Sequence, residues 1–180
     1  MDPRAAKRRA FGQHFLKDSS VIAQIVADVT KDPGLACLEI GPGQGALTEP
    51  LLISLQERAK EVTEFRFILV EKDRVLAVEN EQRIARLGHA RWAKVICADF
   101  LELQETEWFR PGLTVVSNLP YSSGTAMLTR LCGVHARRPV SVDGGLRRMT
   151  LMFQAEVAER VRAEGGPGSG RDRGSLSIWV

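Results

Sequence analysis

Short, continuous apolar runs recur along the chain and are typical of strands that are buried on both faces. Between them lie longer stretches in which apolar residues recur at helical spacing. Strands are predicted over residues 35–40, 65–70, 94–98, 113–117, 149–153 and 175–180, and helices over 20–30, 46–60, 74–87, 124–131 and 154–161. Strands that alternate with helices predict an α/β fold with a mainly parallel central sheet flanked by helices.

Two segments lack either pattern. Residues 133–147 are rich in arginine, glycine and proline, and residues 165–174 hold too many glycines for a regular element. Both are predicted to be loops. Asp18 or Ser19 is predicted to cap the first helix.

The sequence Asn118-Leu119-Pro120-Tyr121 follows the fourth apolar run. Pro120 has no amide hydrogen and therefore ends the strand, and it holds Leu119 in an extended conformation. An amide side chain, backbone carbonyls and an aromatic ring then lie at the carboxyl end of a strand, where ligands bind in open α/β sheets. Such groups can accept hydrogen bonds from the amino group of a nucleobase and stack on its ring. The alternative is an ordinary strand end in which Asn118 caps a proline turn.

A glycine-rich turn, residues 41–45, separates the first strand from the next helix. Glycines allow the backbone to approach a ligand and helix amides face it, so the arrangement is typical of phosphate or nucleoside binding. Gly41, Gly43 and Ala46 also match a loose dinucleotide-binding pattern. Glu39, however, would repel a pyrophosphate and favours a cationic ligand. A tight turn without a ligand is the alternative.

Acidic residues also follow the second and third predicted strands. Glu71 is placed to bind both hydroxyls of a ribose with its two oxygens. Asp99 can accept a hydrogen bond from an adenine amino group while Phe100 covers the ring. The alternatives are structural, because Asp73 can cap the following helix and Asp99 can begin a turn.

The N-terminal residues combine a basic tail, Arg4 to Arg9, with the block Phe11-Gly12-Gln13-His14-Phe15-Leu16. A basic tail is often only solvated. The apolar side chains of the block favour burial while Gln13 and His14 need partners, so this segment is predicted to lie across the mouth of a site. Some members of a second basic group are predicted to reach the same rim and contact phosphates, the alternative being that they are only solvated: Arg137, Arg138, Arg147 and Arg148.

Composition limits the function classes. The chain has 180 residues, of which 44% are hydrophobic and 26% charged, so one globular domain is expected rather than a disordered chain. No apolar run is long enough to span a bilayer and no signal core follows the basic N-terminus, so we expect a cytoplasmic protein. The net charge of +3 only weakly favours a polyanionic partner.

The three cysteines show no metal-ligand spacing, and the three histidines are scattered. Cys37 and Cys97 lie in apolar runs and are predicted to be small buried hydrophobic residues. We therefore expect no metal site and a reducing environment.

Six sequence blocks, taken in order, resemble the ribosomal RNA adenine dimethyltransferases, which use S-adenosylmethionine to modify an adenine amino group. The blocks are Phe-Gly-Gln-His-Phe-Leu at 11–16, Glu-Ile-Gly-Pro-Gly-Gln-Gly at 39–45, Glu-Lys-Asp at 71–73, Ala-Asp-Phe at 98–100, Asn-Leu-Pro-Tyr at 118–121 and Phe-Gln-Ala-Glu-Val-Ala-Glu-Arg at 153–160. Each block is unspecific alone, but six in this order across nearly the whole chain are specific. The resemblance implies the Rossmann-like fold of S-adenosylmethionine-dependent methyltransferases.

The resemblance also implies a cofactor site for S-adenosylmethionine. His14 and Leu16 would contact its methionine end, and Glu39 would lie near its cationic end. Glu71 would bind the ribose and Asp99 the adenine. The cofactor-binding residues implied by position are Gln13, His14, Leu16, Glu39, Gly41, Gly43, Glu71, Lys72, Asp99, Phe100 and Asn118.

The implied catalytic residues are Asn118, Leu119, Pro120 and Tyr121. Asn118 would stand between cofactor and target adenine, and Tyr121 would stack on that adenine. Leu119, in place of isoleucine, makes the chain more similar to the small-subunit enzymes than to the large-subunit resistance enzymes. The resemblance therefore implies dimethylation of adenines in small-subunit ribosomal RNA during ribosome biogenesis. The implied partner is ribosomal RNA in a small-subunit particle, and we expect a monomer without a metal or membrane.

Two features depart from the family pattern. Family members continue into a small helical C-terminal domain that is absent here, so residues 1–180 are expected to be the catalytic domain, with 1–18 covering the cofactor. Members often carry a tyrosine before the glycine of the last strand, whereas Arg173 precedes Gly174 here.

Two alternative functions remain open. DNA adenine methyltransferases use a similar tetrapeptide, although the block at 11–16 and Leu119 favour RNA. A non-catalytic RNA-binding assembly factor could keep the fold, although the intact motif at 118–121 argues against it.

Overall fold

The computed structural model describes residues 16–120, 122–137, 144–153 and 175–179, the last range as backbone only. Strands and helices alternate through these residues, as the sequence predicts. In chain order they are α1 (Ser19–Lys31), β1 (Ala36–Ile40), α2 (Thr48–Glu61), β2 (Arg66–Glu71), α3 (Arg74–Arg86), β3 (Ala93–Cys97), α4 (Glu105–Trp108), β4 (Leu113–Asn118), α5 (Gly124–Arg137), β5 (Leu146–Met152) and β6 (Ser175–Trp179).

The strands form one sheet in the order β3-β2-β1-β4-β5-β6, and each neighbouring pair is parallel. The predicted parallel sheet is therefore confirmed. From β1 the chain winds outward through β2 and β3, then returns to β4 and winds outward in the other direction. The carboxyl ends of β1 and β4 thus lie side by side where the winding reverses, the usual ligand position in such sheets.

Two hydrophobic cores cover the two faces of the sheet. Successive residues of a strand point to opposite faces, so Cys37 and Leu38 of β1 lie in different cores. One core contains Trp108 and Leu131, and the other contains Leu51. Because all five residues of β1 are buried, the central strand is a continuous apolar run interrupted only by Glu39.

Side-chain caps fix the starts of two helices. Asp18 accepts hydrogen bonds from the amides of Ser20 and Val21 at the start of α1. Asp73 caps α3 in the same way, accepting from the amide nitrogens of Val75 and Leu76. Both caps are predicted from the sequence, and the structure confirms them.

The predicted loop at 133–147 is partly wrong. Helix α5 continues to Arg137 because Met127, Leu131 and Val134 extend its buried stripe, and β5 already begins at Leu146. The sequence interpretation also missed α4, a four-residue helix closed by a capping box between Gln104 and Glu107. The predicted helix at 154–161 and the predicted loop at 165–174 lie outside the described residues.

One cysteine differs from expectation. Cys37 is buried in β1, as predicted, but Cys97 is exposed. The reason is that Cys97 ends β3, which is an edge strand of the sheet and is covered less completely than β1. An apolar run does not distinguish an edge strand from a central strand.

Candidate functional site

A cavity of about 380 Å³ opens at the carboxyl edge of the sheet, around the ends of β1 and β4. Its wall includes ten residues that the sequence assigns to cofactor or base: Leu16, Glu39, Gly41, Glu71, Lys72, Asp99, Phe100, Asn118, Leu119 and Pro120. Gly43 does not line it, and Gln13, His14 and Tyr121 lie outside the described residues. Residues from distant parts of the sequence therefore meet in one cavity.

The glycine-rich turn forms one side of this cavity. Gly41 has a φ of 68°, which only glycine adopts readily, and its amide donates to the Val70 carbonyl oxygen at 2.9 Å. A β-carbon at Gly41 would meet no atom within 4 Å. The turn thus presents bare backbone to the cavity, where a ligand can approach closely.

Glu71 joins the turn to the end of β2. One carboxylate oxygen accepts from the Gly43 amide and the other from the Asp73 amide, each at 2.9 Å. The side chain is 2% exposed and lines the cavity. Because each carboxylate oxygen can accept two hydrogen bonds, both retain accepting capacity after these contacts. The carboxylate is thereby held in a fixed orientation at the cavity wall.

Asn80 and Arg83 of α3 support the turn from behind, and the sequence interpretation missed both. Asn80, which is fully buried, donates to the Gly43 carbonyl oxygen at 2.8 Å. Arg83 donates to the Asn80 side-chain oxygen and to the Gln44 carbonyl oxygen. Gly45 leaves the space that the Arg83 guanidinium occupies, because a β-carbon there would collide with it. Gly43 is therefore a residue of the supporting network, held through both backbone groups.

Glu39 is a buried acid within the apolar strand β1. It is 2% exposed, and its carboxylate accepts a hydrogen bond from the Thr48 hydroxyl at 2.8 Å. Burial raises the pKa of Glu39 from 4.5 to about 8, the charge of Glu71 adds to the rise, and the Thr48 hydroxyl and Arg83 oppose it. An acid with this pKa is largely protonated at neutral pH, and a cation in the cavity would favour its ionised form.

The raised pKa leads to a prediction about stability. A folded-state pKa of about 8 means that protonated Glu39 stabilises the fold fully below pH 4.5, and that this stability is lost as the pH rises through 8. Glu39→Gln removes the titration, so its free energy of unfolding should change less between pH 5 and pH 9. The difference should be on the order of 2–4 kcal/mol. Urea unfolding of the ligand-free protein across this pH range measures it.

The matched control is Glu64→Gln, which removes an exposed glutamate from the turn before β2. It should follow the wild-type pH dependence. The quantity compared is the change of the free energy of unfolding with pH, not its absolute value. The buried amide of the glutamine also destabilises the fold, but by an amount that does not vary with pH. If the free energy of unfolding changes equally with pH in the wild type and in Glu39→Gln, the pKa of Glu39 is not raised.

Asp99 and Phe100 form the side of the cavity that follows β3. Asp99 accepts from the Leu101 amide at 2.9 Å and lines the cavity. The structural alternative, a turn begun by Asp99, is thus correct, and the side chain still reaches the cavity. Phe100 is 2% exposed and packs on Trp108 with ring centroids 5.0 Å apart. Its ring therefore belongs to the core and to the cavity wall.

Residues 118–120 close the cavity from β4. The strand ends at Asn118, as the proline predicts, and the Leu119 amide donates to the Met152 carbonyl oxygen of β5 at 3.2 Å. The preceding residue, Ser117, donates its hydroxyl to the Ile40 carbonyl oxygen at 2.6 Å. These contacts fix the end of β4 against both neighbouring strands.

The residues just before α1 supply another part of the cavity wall. Leu16, Lys17 and Asp18 line the cavity, so the segment just before α1 lies at its mouth. This agrees with the predicted position of the N-terminal block for Leu16, the block's last residue. The basic tail, Arg4 to Arg9, lies outside the described residues.

The second basic group is not at this rim. Arg147 and Arg148 begin β5 and Arg137 ends α5, so they lie at the amino edge of the sheet, opposite the cavity. Each is paired with an acid: Arg137 with Glu105 at 2.9 Å, Arg147 with Asp32 at 2.7 Å and Arg148 with Asp28 at 2.7 Å. The predicted position of these arginines at the cavity rim is wrong, because the end of a crossover helix and the start of a parallel strand lie at the edge of the sheet opposite the carboxyl ends of its strands. Arg138 lies outside the described residues.

The described residues form neither a metal site nor a membrane-spanning helix. They include no group of three or more histidine, cysteine, aspartate or glutamate side chains arranged to hold a metal ion. No helix in the same part of the chain is long and apolar enough to cross a membrane.

Comparison with known proteins was made on sequence and on structure. A family model described as ribosomal RNA adenine dimethylase matches residues 4–180. The chain is 36% identical to ribosomal RNA small subunit methyltransferase A of Psychrobacter cryohalolentis, over 97% of this chain and 56% of that protein. It is 35% identical to the protein of the same name from Nitratidesulfovibrio vulgaris, over 100% of this chain and 59% of that protein. The chain thus spans somewhat more than half the length of these relatives.

Solved structures give the same picture for the fold. The chain superposes on 23S rRNA methyltransferase ErmE with a TM-score of 0.62 and 26% identity, covering 84% of this chain and 52% of that chain. A dimethyladenosine transferase from Plasmodium falciparum gives a TM-score of 0.61 at 24% identity, covering 83% and 46%. The predicted Rossmann-like methyltransferase fold is confirmed.

Proposed function

The chain belongs to the ribosomal RNA adenine dimethylase family, and from this membership we propose that it dimethylates the exocyclic amino group of adenines in small-subunit ribosomal RNA, with S-adenosylmethionine as methyl donor. The observation that carries the proposal is the single cavity shared by Glu71, Asp99 and Asn118. Residues suited to a nucleoside and a residue suited to an acceptor amino group therefore line the same cavity.

The cavity residues fit this cofactor chemically. Glu71 offers two oriented acceptors for ribose hydroxyls, and Asp99 offers an acceptor for an amino group. The buried Glu39 suits the cationic end of the ligand, and the bare backbone at Gly41 allows close contact. The volume of about 380 Å³ lies within the range of small-molecule sites. A pyrophosphate would instead meet the carboxyl groups of Glu39 and Glu71, so a dinucleotide fits less well.

When bound, S-adenosylmethionine supplies a methyl group already activated by a sulfonium. The residues of the chain therefore need to align the acceptor nitrogen and exclude water rather than provide an acid or a base. We propose that the Asn118 amide oxygen and the backbone carbonyls near Leu119 accept hydrogen bonds from the adenine amino group. These contacts hold its nitrogen toward the methyl group. Tyr121 would stack on the base, which must leave any duplex to reach the cavity.

The comparisons favour RNA over DNA as substrate, because the family model and the similar curated proteins are named for ribosomal RNA. The small subunit is favoured by those curated names and by Leu119. We propose further that residues 1–180 form the catalytic domain, with residues 1–18 covering the cofactor, and that the protein acts as a monomer in the cytoplasm on a small-subunit particle.

The test is methyl transfer to ribosomal particles. The protein would be incubated with methyl-labelled S-adenosylmethionine and immature small subunits, and the modified nucleotides would be mapped. We expect label in dimethylated adenines of the small-subunit RNA. Parallel reactions with large subunits and with adenine-containing DNA distinguish the alternatives. Label in DNA alone would support a DNA methyltransferase, and cofactor binding without transfer to any substrate would support a non-catalytic assembly factor.

We propose that the basic tail before the cavity contacts RNA phosphates. Neutralising Lys7, Arg8 and Arg9 together should flatten the dependence of RNA affinity on salt by up to about three units of logarithmic slope, because each phosphate contact releases counterions. Binding should be weak and poorly selective, since phosphate contacts carry no sequence information. RNA affinity measured across a salt series gives the slope.

The control is the pair of substitutions Arg137→Gln and Arg147→Gln. These arginines are ion-paired at the opposite edge of the sheet, so the slope should remain at its wild-type value. A slope unchanged in the triple variant would exclude the tail from the RNA site. If the control substitutions instead flatten the salt dependence of RNA affinity, the RNA contacts lie at the amino edge of the sheet.

A further inference from the structure

Arg130 of α5 reaches across to the loop between β3 and α4. Its guanidinium donates to the Phe100 carbonyl oxygen at 2.6 Å and also to the Leu103 carbonyl oxygen. Arg130 is absent from the cavity wall and belongs to none of the six sequence blocks. Its contacts nevertheless fall on the segment that carries Asp99 into the wall.

Aromatic rings fix the position of the guanidinium. The Arg130 Cζ atom lies 5.1 Å from the ring centroid of Phe100 and 5.8 Å from that of Trp108. The two rings pack on each other in the core. Guanidinium groups interact favourably with aromatic faces at these distances. Arg130 is therefore held between buried rings and two backbone carbonyls, rather than being a solvated surface charge.

The loop itself is a tight turn built on Asp99. The Asp99 side chain accepts from the Leu101 amide, and its carbonyl oxygen accepts from the amides of Glu102 and Leu103. The carbonyl oxygens of Phe100 and Leu103 take no part in these bonds, so they need other partners. Arg130 supplies both partners with one planar group. The position of the Asp99 carboxylate at the cavity therefore depends on a side chain from another helix.

We propose that Arg130 is a positioning residue that sets the selectivity of the cavity for adenine in its nucleoside ligand. It acts by holding the turn that presents Asp99 to the adenine amino group and Phe100 to the ring. This inference rests on the proposed function, because it assumes that S-adenosylmethionine occupies the cavity. Lysine can replace arginine here only in part, since an ammonium lacks the planar fork that reaches two carbonyls and lies on a ring.

The test compares two ligands that differ only at the base. S-adenosylhomocysteine carries an amino group, and S-inosylhomocysteine carries an oxygen in its place. The oxygen cannot donate to Asp99, so the wild type should bind the adenine form at least roughly 10-fold more tightly. Arg130→Met should reduce this ratio to within about threefold, and Arg130→Lys should give an intermediate ratio, because it keeps one charged donor. Calorimetry on the ligand pair measures each ratio.

The matched control is Arg137→Met, which removes an arginine from the last turn of the same helix. Arg137 pairs with Glu105 and does not contact the Asp99 turn, so the ratio should stay at the wild-type value. A general loss of folded protein lowers both affinities together and leaves their ratio unchanged. The ratio therefore separates positioning from stability.

Several outcomes would overturn the proposal. If folded Arg130→Met keeps the wild-type ratio of the two affinities, or binds both ligands more weakly by the same factor, Arg130 serves only the stability of the fold. If Arg130→Met does not fold, an undiminished ratio in Arg130→Lys has the same meaning. A wild type that binds both ligands equally would exclude Asp99 as the reader of the amino group. A wild type that binds neither ligand would refute the proposed function itself.

Discussion

Replacing Asn118 by alanine should lower methyl transfer by at least about 100-fold while leaving cofactor affinity within a few-fold of wild type. The proposed reaction needs alignment of an amino nitrogen with an activated methyl group. Asn118 provides an amide oxygen at the cavity wall for that alignment. Removing it leaves the target amino group free to rotate away from the line of attack, so the cost falls on the chemical step.

The geometry explains why cofactor binding should survive this change. Asn118 ends β4, whereas the proposed ribose and adenine positions lie at Glu71 after β2 and Asp99 after β3. The end of β4 is also held by the Ser117 hydroxyl and the Leu119 amide, which alanine at 118 leaves in place. The substitution therefore removes one side chain from the cavity without removing the backbone contacts that shape it.

Single-turnover methyl transfer and calorimetric cofactor binding, measured on the same preparation, separate the two effects. The control is Ser122→Ala, which shortens an exposed side chain just beyond the motif and should keep more than half of the wild-type rate. A wild-type rate in Asn118→Ala would refute the proposed alignment. An equal loss of rate and cofactor affinity would mean that Asn118 serves binding rather than chemistry.

The features predicted correctly from the sequence are those coded by neighbouring residues. Central strands need continuous apolar runs, caps need an acid beside the first turn, and a proline ends a strand. For this reason β1, β2, the cap at Asp73 and the end of β4 at Asn118 all match expectation. The carboxyl ends of parallel strands share one edge of the sheet. Correct strand prediction therefore also predicts that the acidic residues following these strands lie close together.

Features that depend on distant contacts could not be predicted in this way. Asn80 and Arg83 lie on a helix surface in the sequence pattern, and only the packing of α3 against the glycine turn reveals their contacts. Arg130 reaches a loop 27 to 30 positions away in the chain. Arg137, Arg147 and Arg148 are expected at the cavity rim, but the end of a crossover helix and the start of a parallel strand lie at the opposite edge of the sheet. Local sequence patterns therefore predict helices, strands and their ends. The partners of side chains such as Arg130 become visible only in the three-dimensional structure.

Gly43 illustrates this distinction. Its spacing correctly predicts a tight turn and suggests contact with a ligand, and in the structure its φ is 56°. In the structure its amide and carbonyl are both taken, by Glu71 and Asn80 respectively. The glycine is thus required by the turn, while the bare backbone at the cavity belongs to Gly41. A glycine pattern identifies the turn but does not show which of its members faces the ligand.

Glu71→Ala should weaken binding of S-adenosylmethionine by about 1.5–3 kcal/mol, or roughly 10- to 150-fold. The Glu71 carboxylate lies buried at the end of β2, and its two oxygens are oriented by the amides of Gly43 and Asp73. In the proposed site it would therefore bind two ribose hydroxyls without first losing conformational freedom. Alanine removes both acceptors and releases the glycine turn.

Two further variants separate these losses. Glu71→Gln keeps the size and one acceptor oxygen but loses the charge, so its affinity should fall between those of wild type and alanine. Glu79→Ala removes an exposed acid from α3 and controls for the change in net charge. Calorimetry at fixed pH and salt measures all four proteins, and chemical unfolding reports the folded fraction of each. If folded Glu71→Ala binds S-adenosylmethionine with wild-type affinity, Glu71 does not bind the ribose. If the protein binds NAD tightly and does not bind S-adenosylmethionine, the cavity is a dinucleotide site.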